Sequence, residues 1–81
     1  MLTKDDLPDL IVEALKAKNG SAKIIDVCKF VWNNHKEKLE NSGDLFFTWQ
    51  YDIRWGATHL REIGKMKTKE LSPKGLWELS S

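Results

Sequence analysis

Five apolar residues, Leu7, Leu10, Ile11, Ala14 and Leu15, recur at i, i+3, i+4, i+7 and i+8, and Asn19-Gly20 follows them. That spacing draws one apolar stripe along an α-helix, and such a stripe is stable only when other elements cover it. Pro8 falls in the first turn, where a helix tolerates the missing N–H. Asp5, Asp6 and Asp9 put negative charge near the positive end of the helix dipole, and Lys16 and Lys18 lie near its negative end. Asn and Gly both accept the left-handed conformation that ends a helix. The pattern therefore predicts a first helix over about residues 7–18. A chain of 81 residues allows one domain, residues 1–81, with a thin core.

Ser21 is a plausible N-cap for a second helix, whose broad apolar face is Ile24, Ile25, Val27, Cys28, Val31 and Trp32. It is expected to run to about Lys36, with Lys36-Glu37-Lys38-Leu39-Glu40 as an extension, and Ser21-Ala22-Lys23 leaves room for a short bridging strand. Asn41-Ser42-Gly43-Asp44 is a loop signal. A third helix, about 48–63, follows from Trp49, Ile53, Gly56, Ala57, Leu60 and Ile63, capped by Asp44 or Thr48 and stopped at Gly64. The small pair Gly56-Ala57 implies a close approach to another element. Lys65 to Leu71, Ser72-Pro73-Lys74-Gly75 and Leu76 to Ser80 then read as strand, turn and strand. Trp77 and Leu79 are assigned to the inner face. Three helices followed by a C-terminal β-hairpin make an α+β, mainly α, winged helix-turn-helix domain, with the 65–79 hairpin as its wing.

Composition narrows the function less. Lys and Arg number 13 against 12 Asp and Glu, so the net charge of +1 carries no global nucleic-acid or membrane signature. No apolar run exceeds three residues, which excludes a membrane span or signal-peptide core. A single cysteine, Cys28, excludes an intrachain disulfide framework and fits a reducing cytoplasm. The charge is nevertheless uneven. Residues 1–47 hold seven Lys and eight acids, a balance of −1, whereas residues 48–81 hold four Lys, two Arg and four acids, a balance of +2.

The stretch Ile53-Arg54-Trp55-Gly56-Ala57-Thr58-His59-Leu60-Arg61-Glu62-Ile63-Gly64-Lys65-Met66 and the ending Ser72-Pro73-Lys74-Gly75-Leu76-Trp77-Glu78-Leu79-Ser80 together resemble the amino-terminal winged-helix domain of Mrr-type restriction endonucleases. Ile53, Trp55, Gly56, Leu60, Gly64, Met66, Gly75, Trp77 and Leu79 stand at the matching places, and the amino half matches in pattern only. The chain departs from the family at Ile63-Gly64-Lys65, usually Ala-Gly-Leu, and in a wing turn poorer in arginine. The family's nuclease domain is absent from these 81 residues. The resemblance implies a winged helix and double-stranded DNA as partner.

In helix-turn-helix docking the third helix enters the major groove. Its face away from Ile53, Gly56, Leu60 and Ile63 carries Gln50, Tyr51, Arg54, Thr58 and Arg61. Arg suits guanine and Gln suits adenine, while Thr and Tyr reach phosphates; the same residues also suit an ordinary solvated face. Lys65, Lys67 and Lys69 would share one face of a strand, as phosphate contacts or as protection of a sheet edge. Lys74 at the wing tip and Lys23 before helix 2 complete the phosphate candidates. Trp32, Trp55 and Trp77 are assigned to the core. Trp49 is either core or, with Leu45, Phe46 and Phe47, part of an exposed apolar patch through which two copies could dimerise.

Enzymatic readings lack support. Cys28, His35 and His59 do not have the paired close spacing of a zinc site, nothing marks Cys28 as an activated nucleophile, and no Gly-rich phosphate loop exists. Pro8-Asp9 is not followed by the acid-x-Lys of a nuclease, since Glu13 and Lys16 are three apart. No catalytic residue, metal or cofactor is expected. A protein-interaction module, or a targeting module of a restriction-type enzyme, is the alternative to a DNA-binding domain. The start at Met1 fits an intact small protein or an amino-terminal fragment equally.

Overall fold

The computed structural model describes residues 1–80. A 3₁₀ turn, Lys4–Asp6, leads into α1, Leu7–Ala17; β1, Ser21–Lys23, precedes α2, Ile24–Glu40; α3, Leu45–Glu62, and β2, Leu76–Glu78, follow. The Asp6 carboxylate accepts the Thr3 backbone N–H at 2.8 Å and so closes the chain onto the first turn. Asn19 and Gly20 both have positive φ, 63° and 99°, and Gly20 N–H bonds the Leu15 carbonyl at 2.7 Å. That C-terminal cap reverses the chain into β1, as the sequence predicts.

β1 and β2 pair antiparallel, with Ser21 opposite Glu78, Ala22 opposite Trp77 and Lys23 opposite Leu76. The short bridging strand therefore exists. Ser21 belongs to it, so the residue before α2 is Lys23, not Ser21. On the other edge of β2, Met66 bridges Leu79 and Lys67 N–H bonds Glu78 C=O at 2.9 Å. Three helices with this C-terminal β-hairpin form a winged-helix-type architecture. The hairpin's first arm is shorter than 65–71, because pairing stops after Lys67. Thr68, Lys69 and Glu70 offer no apolar side chain to bury, and Leu71 is 72% exposed. Residues 68–75 form turns instead, ending at Gly75 with φ 80°.

α2 extends to Glu40, but its backbone breaks at His35, φ −131° and ψ 21°. The Asn34 side-chain amide covers the Phe30 carbonyl at 2.8 Å, and His35 Nε2 donates to Glu13 Oε1 of α1 at 2.6 Å. α3 begins three residues earlier than its 48–63 period suggests, so Leu45-Phe46-Phe47 belong to the helix. The turn before it is fastened through buried Ser42, which accepts the Leu2 N–H at 2.9 Å and donates to the Lys38 carbonyl.

The core joins Leu7, Ile11 and Leu15 of α1, Val27, Val31 and Leu39 of α2, Ile53 and Leu60 of α3, and Met66, all at 1–2% exposure or less. Trp49 and Trp77, each 3% exposed, supply its bulk. Trp49 stacks on half-buried Trp32 at 6.3 Å and 4°, which holds α3 against α2. Trp55, expected in the core, is 38% exposed. It lies six positions after Trp49, off the stripe of Trp49, Ile53, Gly56 and Leu60. Its ring stacks on His59 at 5.6 Å, with Lys4 Nζ 4.8 Å above it. Ile63 falls past the end of α3 and is 51% exposed.

α1 and α3 touch at Gly56, where a Cβ would stand 3.1 Å from Ile11 Cδ1 and 3.3 Å from the Pro8 backbone nitrogen. Gly56→Val is expected to cost about 1–3 kcal/mol of stability by overpacking, read as a lower midpoint in urea unfolding. Trp49→Ala, which empties the α2–α3 contact, is expected to cost about 3–5 kcal/mol. At about 0.05–0.15 kcal/mol of stability per residue, such a cost is a large share of the total for a domain of this size.

Candidate nucleic-acid interface

The buried stripe of α3 turns the rest of the helix outward. Gln50, Tyr51, Arg54 and Thr58 are exposed, and Arg61 is half-buried. The Thr58 hydroxyl donates back to the Arg54 carbonyl at 3.2 Å. Arg61 Nε donates to the Lys67 carbonyl at 3.2 Å, which ties α3 to the hairpin arm and fixes the direction of the guanidinium.

Between α3 and the 68–75 turns runs a groove of about 650 Å³, walled by Arg54, Thr58, Arg61, Lys69, Ser72 and Lys74, with Ala57 and Trp77 also lining it. Four cationic side chains line it and no carboxylate does. Glu70, the one acid between Lys65 and Gly75, does not line it. Its own backbone N–H and the Thr68 hydroxyl hold that carboxyl below its usual pKa range.

A second groove, about 500 Å³, separates α2 from α3; Arg54 and Ile24 line both. Lys29 and Asn33 of α2 face Gln50 and Arg54 across it. Sequence reading passed over these two α2 residues. The available signal was their place beside the apolar face on the side toward α3, readable only once the helix–helix packing is known.

The lysines do not form the predicted row. Without a strand beyond Lys67, Lys65, Lys67 and Lys69 share no strand face. Lys67 Nζ sits 3.6 Å from Glu78 Oε2 and, with Lys65, lines a different depression near Gly20 and Ser21. Lys69 and Lys74 join the arginines in the α3 groove, and Lys23 is exposed at the end of β1. The apolar patch also shrinks. Leu45 is 8% and Trp49 3% exposed, both part of the core, so Phe46 and Phe47 remain. Phe46 is half-buried and lies 6.4 Å from Trp32, while Phe47 is 82% exposed and meets Phe46 edge-on at 4.9 Å.

Cys28, His35 and His59 are engaged separately: Cys28 lines the α2–α3 groove, His35 bonds Glu13 and His59 stacks on Trp55. Among the described residues, no three or more His, Cys, Asp or Glu side chains gather where a metal ion could be held. No helix of the described residues is long and apolar enough to cross a membrane. Comparison of the chain with protein-family models, with curated proteins and with solved structures gave no match.

Burial pushes the Cys28 thiol up from its ordinary pKa, and the Arg54 guanidinium offsets part of the rise. Since the thiolate is the reactive form, Cys28 is expected to alkylate more slowly than free cysteine with iodoacetamide at about pH 8. Arg54→Ala removes the opposing charge, so the thiol pKa rises further and the rate falls again at the same pH.

Proposed function

We propose that this chain is a DNA-binding winged-helix domain, with α3 in the major groove of a duplex and the 68–75 turns on the flanking backbone. The observation that carries the reading is the groove in which Arg54, Arg61, Lys69 and Lys74 converge without a lining carboxylate. Phosphate contacts supply most non-specific affinity by releasing condensed counterions. Gln50, Arg54 and Thr58 offer the amide, guanidinium and hydroxyl that read or position base pairs. The role is binding, with no catalytic residue assigned. A targeting module of a restriction-type enzyme is the role that the Mrr-type resemblance implies, and comparison with known proteins added no match to it. Several of the resembling residues, Gly56, Leu60, Met66 and Trp77, are core residues here, so the likeness speaks more for fold than for target.

A second reading, an interface between copies, draws on Phe46 and Phe47. A stable interface buries roughly 800 Å² per partner, and with Leu45 and Trp49 committed to the core that reading keeps half of its residues.

Fluorescence anisotropy with a labelled duplex tests the first reading. Four phosphate contacts give a log–log salt slope of about −3 to −4. Lys69→Ala and Lys74→Ala should each flatten that slope by about one, and Arg54→Ala should cost about 1–3 kcal/mol of binding. Lys67→Ala, already paired with Glu78, should leave it unchanged. No binding at about 50 mM salt overturns the reading.

A further inference from the structure

Two rings on the open face of α3, Phe47 and Tyr51, stand outside the lining of the groove on which the duplex reading rests. Phe47 is 82% and Tyr51 80% exposed. They stand one helical turn apart, about 6 Å along the axis, on the same outward side as Gln50 and Arg54. The next rung of that row, Trp55, is already occupied by His59 and Lys4.

A B-form major groove presents donors and acceptors, with the thymine methyl as its apolar feature. A phenylalanine ring satisfies none of the polar positions, and water disfavours leaving two large rings uncovered. Unpaired bases offer what fits: flat π-faces with phosphates attached. Aromatic planes beside a cationic strip are the means by which proteins hold single strands, and here the strip is the groove of Arg54, Arg61, Lys69 and Lys74. The charge argues against an apolar protein surface as occupant, because such a surface would strand those cations without counter-charge.

Building on the DNA-binding reading above, we infer that the preferred ligand is a duplex carrying a single-stranded overhang, whose unpaired bases stack on Phe47 and Tyr51 while the α3 groove holds the adjoining phosphates. No covalent step is involved.

The test compares a blunt duplex with the same duplex extended by an oligo(dT) overhang of about six nucleotides, by anisotropy at one salt concentration. The wild-type chain is expected to bind the overhung duplex about tenfold more tightly. The double variant Phe47→Ala/Tyr51→Ala should lose that preference, Phe47→Ala alone should weaken it with the blunt-duplex affinity unchanged, and Tyr51→Phe, which keeps the ring, should retain it. Both side chains are exposed, so circular dichroism should report an unchanged fold. Equal binding of blunt and overhung duplexes overturns this inference and leaves the DNA-binding reading standing; no binding of either overturns both. If the double variant weakens both ligands in parallel, the rings belong to the duplex contact and the overhang inference fails. It fails too if sedimentation shows wild-type self-association that the double variant loses, with no preference for the overhang.

Discussion

The missing side chain at Gly56 governs the rest of the molecule. Its Cα faces the first turn of α1, and a Cβ would press on Ile11 Cδ1 at 3.1 Å and the Pro8 nitrogen at 3.3 Å. With α1 seated there, the rotation of α3 is set. Ile53, Ala57 and Leu60 fall on the buried side with it. At about 100° per residue, Arg54 lies about 160° and Tyr51 about 140° round the helix from Gly56. The surface that meets a ligand is thus fixed by a contact on the opposite side of the same helix. Change that contact and the arginines and rings rotate together.

Aromatic packing completes the frame. Trp49 and Trp32 stack almost parallel and hold α2 to α3, while Trp77 seals the sheet over the core. Large rings bury much area per residue with few rotatable bonds, which suits a chain too short for many aliphatic layers. The fastening of Arg61 Nε to the Lys67 carbonyl then links this frame to the hairpin. One arginine thereby serves both the architecture and the cationic groove.

Much of this was legible in the residues. The helical stripe of α1, the Asn19-Gly20 stop and the close approach at Gly56 all follow from local chemistry that tertiary contacts reinforce. Trp55 left the core against expectation, while Trp49, open between core and patch, joined it; the period that decides both was present, since Trp49 keeps step with Ile53, Gly56 and Leu60 and Trp55 does not. The start of α3 was less readable, because Leu45-Phe46-Phe47 fits a strand, a loop or a helix until Leu45 is seen to reach the core. The lysine row failed for a different reason. Alternation implies a shared face only in a paired strand, and pairing needs buried side chains that Thr68 to Glu70 lack. Which cations converge depended on the turns at 68–75, which no period encodes.

Those turns have an energetic consequence. Residues 68–75 are anchored at their ends, by Lys67 N–H to Glu78 and by Gly75 C=O to the Ile24 N–H at 3.3 Å. Inside, the backbone bonds are local ones, Leu71 to Thr68 and Leu76 to Pro73. A segment held this way opens at low free energy, and fixing its backbone costs about 1 kcal/mol per residue. For the proposed anionic ligand, Lys69 and Lys74 would therefore contribute less net affinity than their charges suggest, and Arg54 and Arg61, mounted on a packed helix, more. On the proposed DNA-binding reading, the same slack would let the two lysines follow phosphates whose spacing varies from one ligand to another, the helix setting the position of the nucleic acid and the wing adapting to its shape.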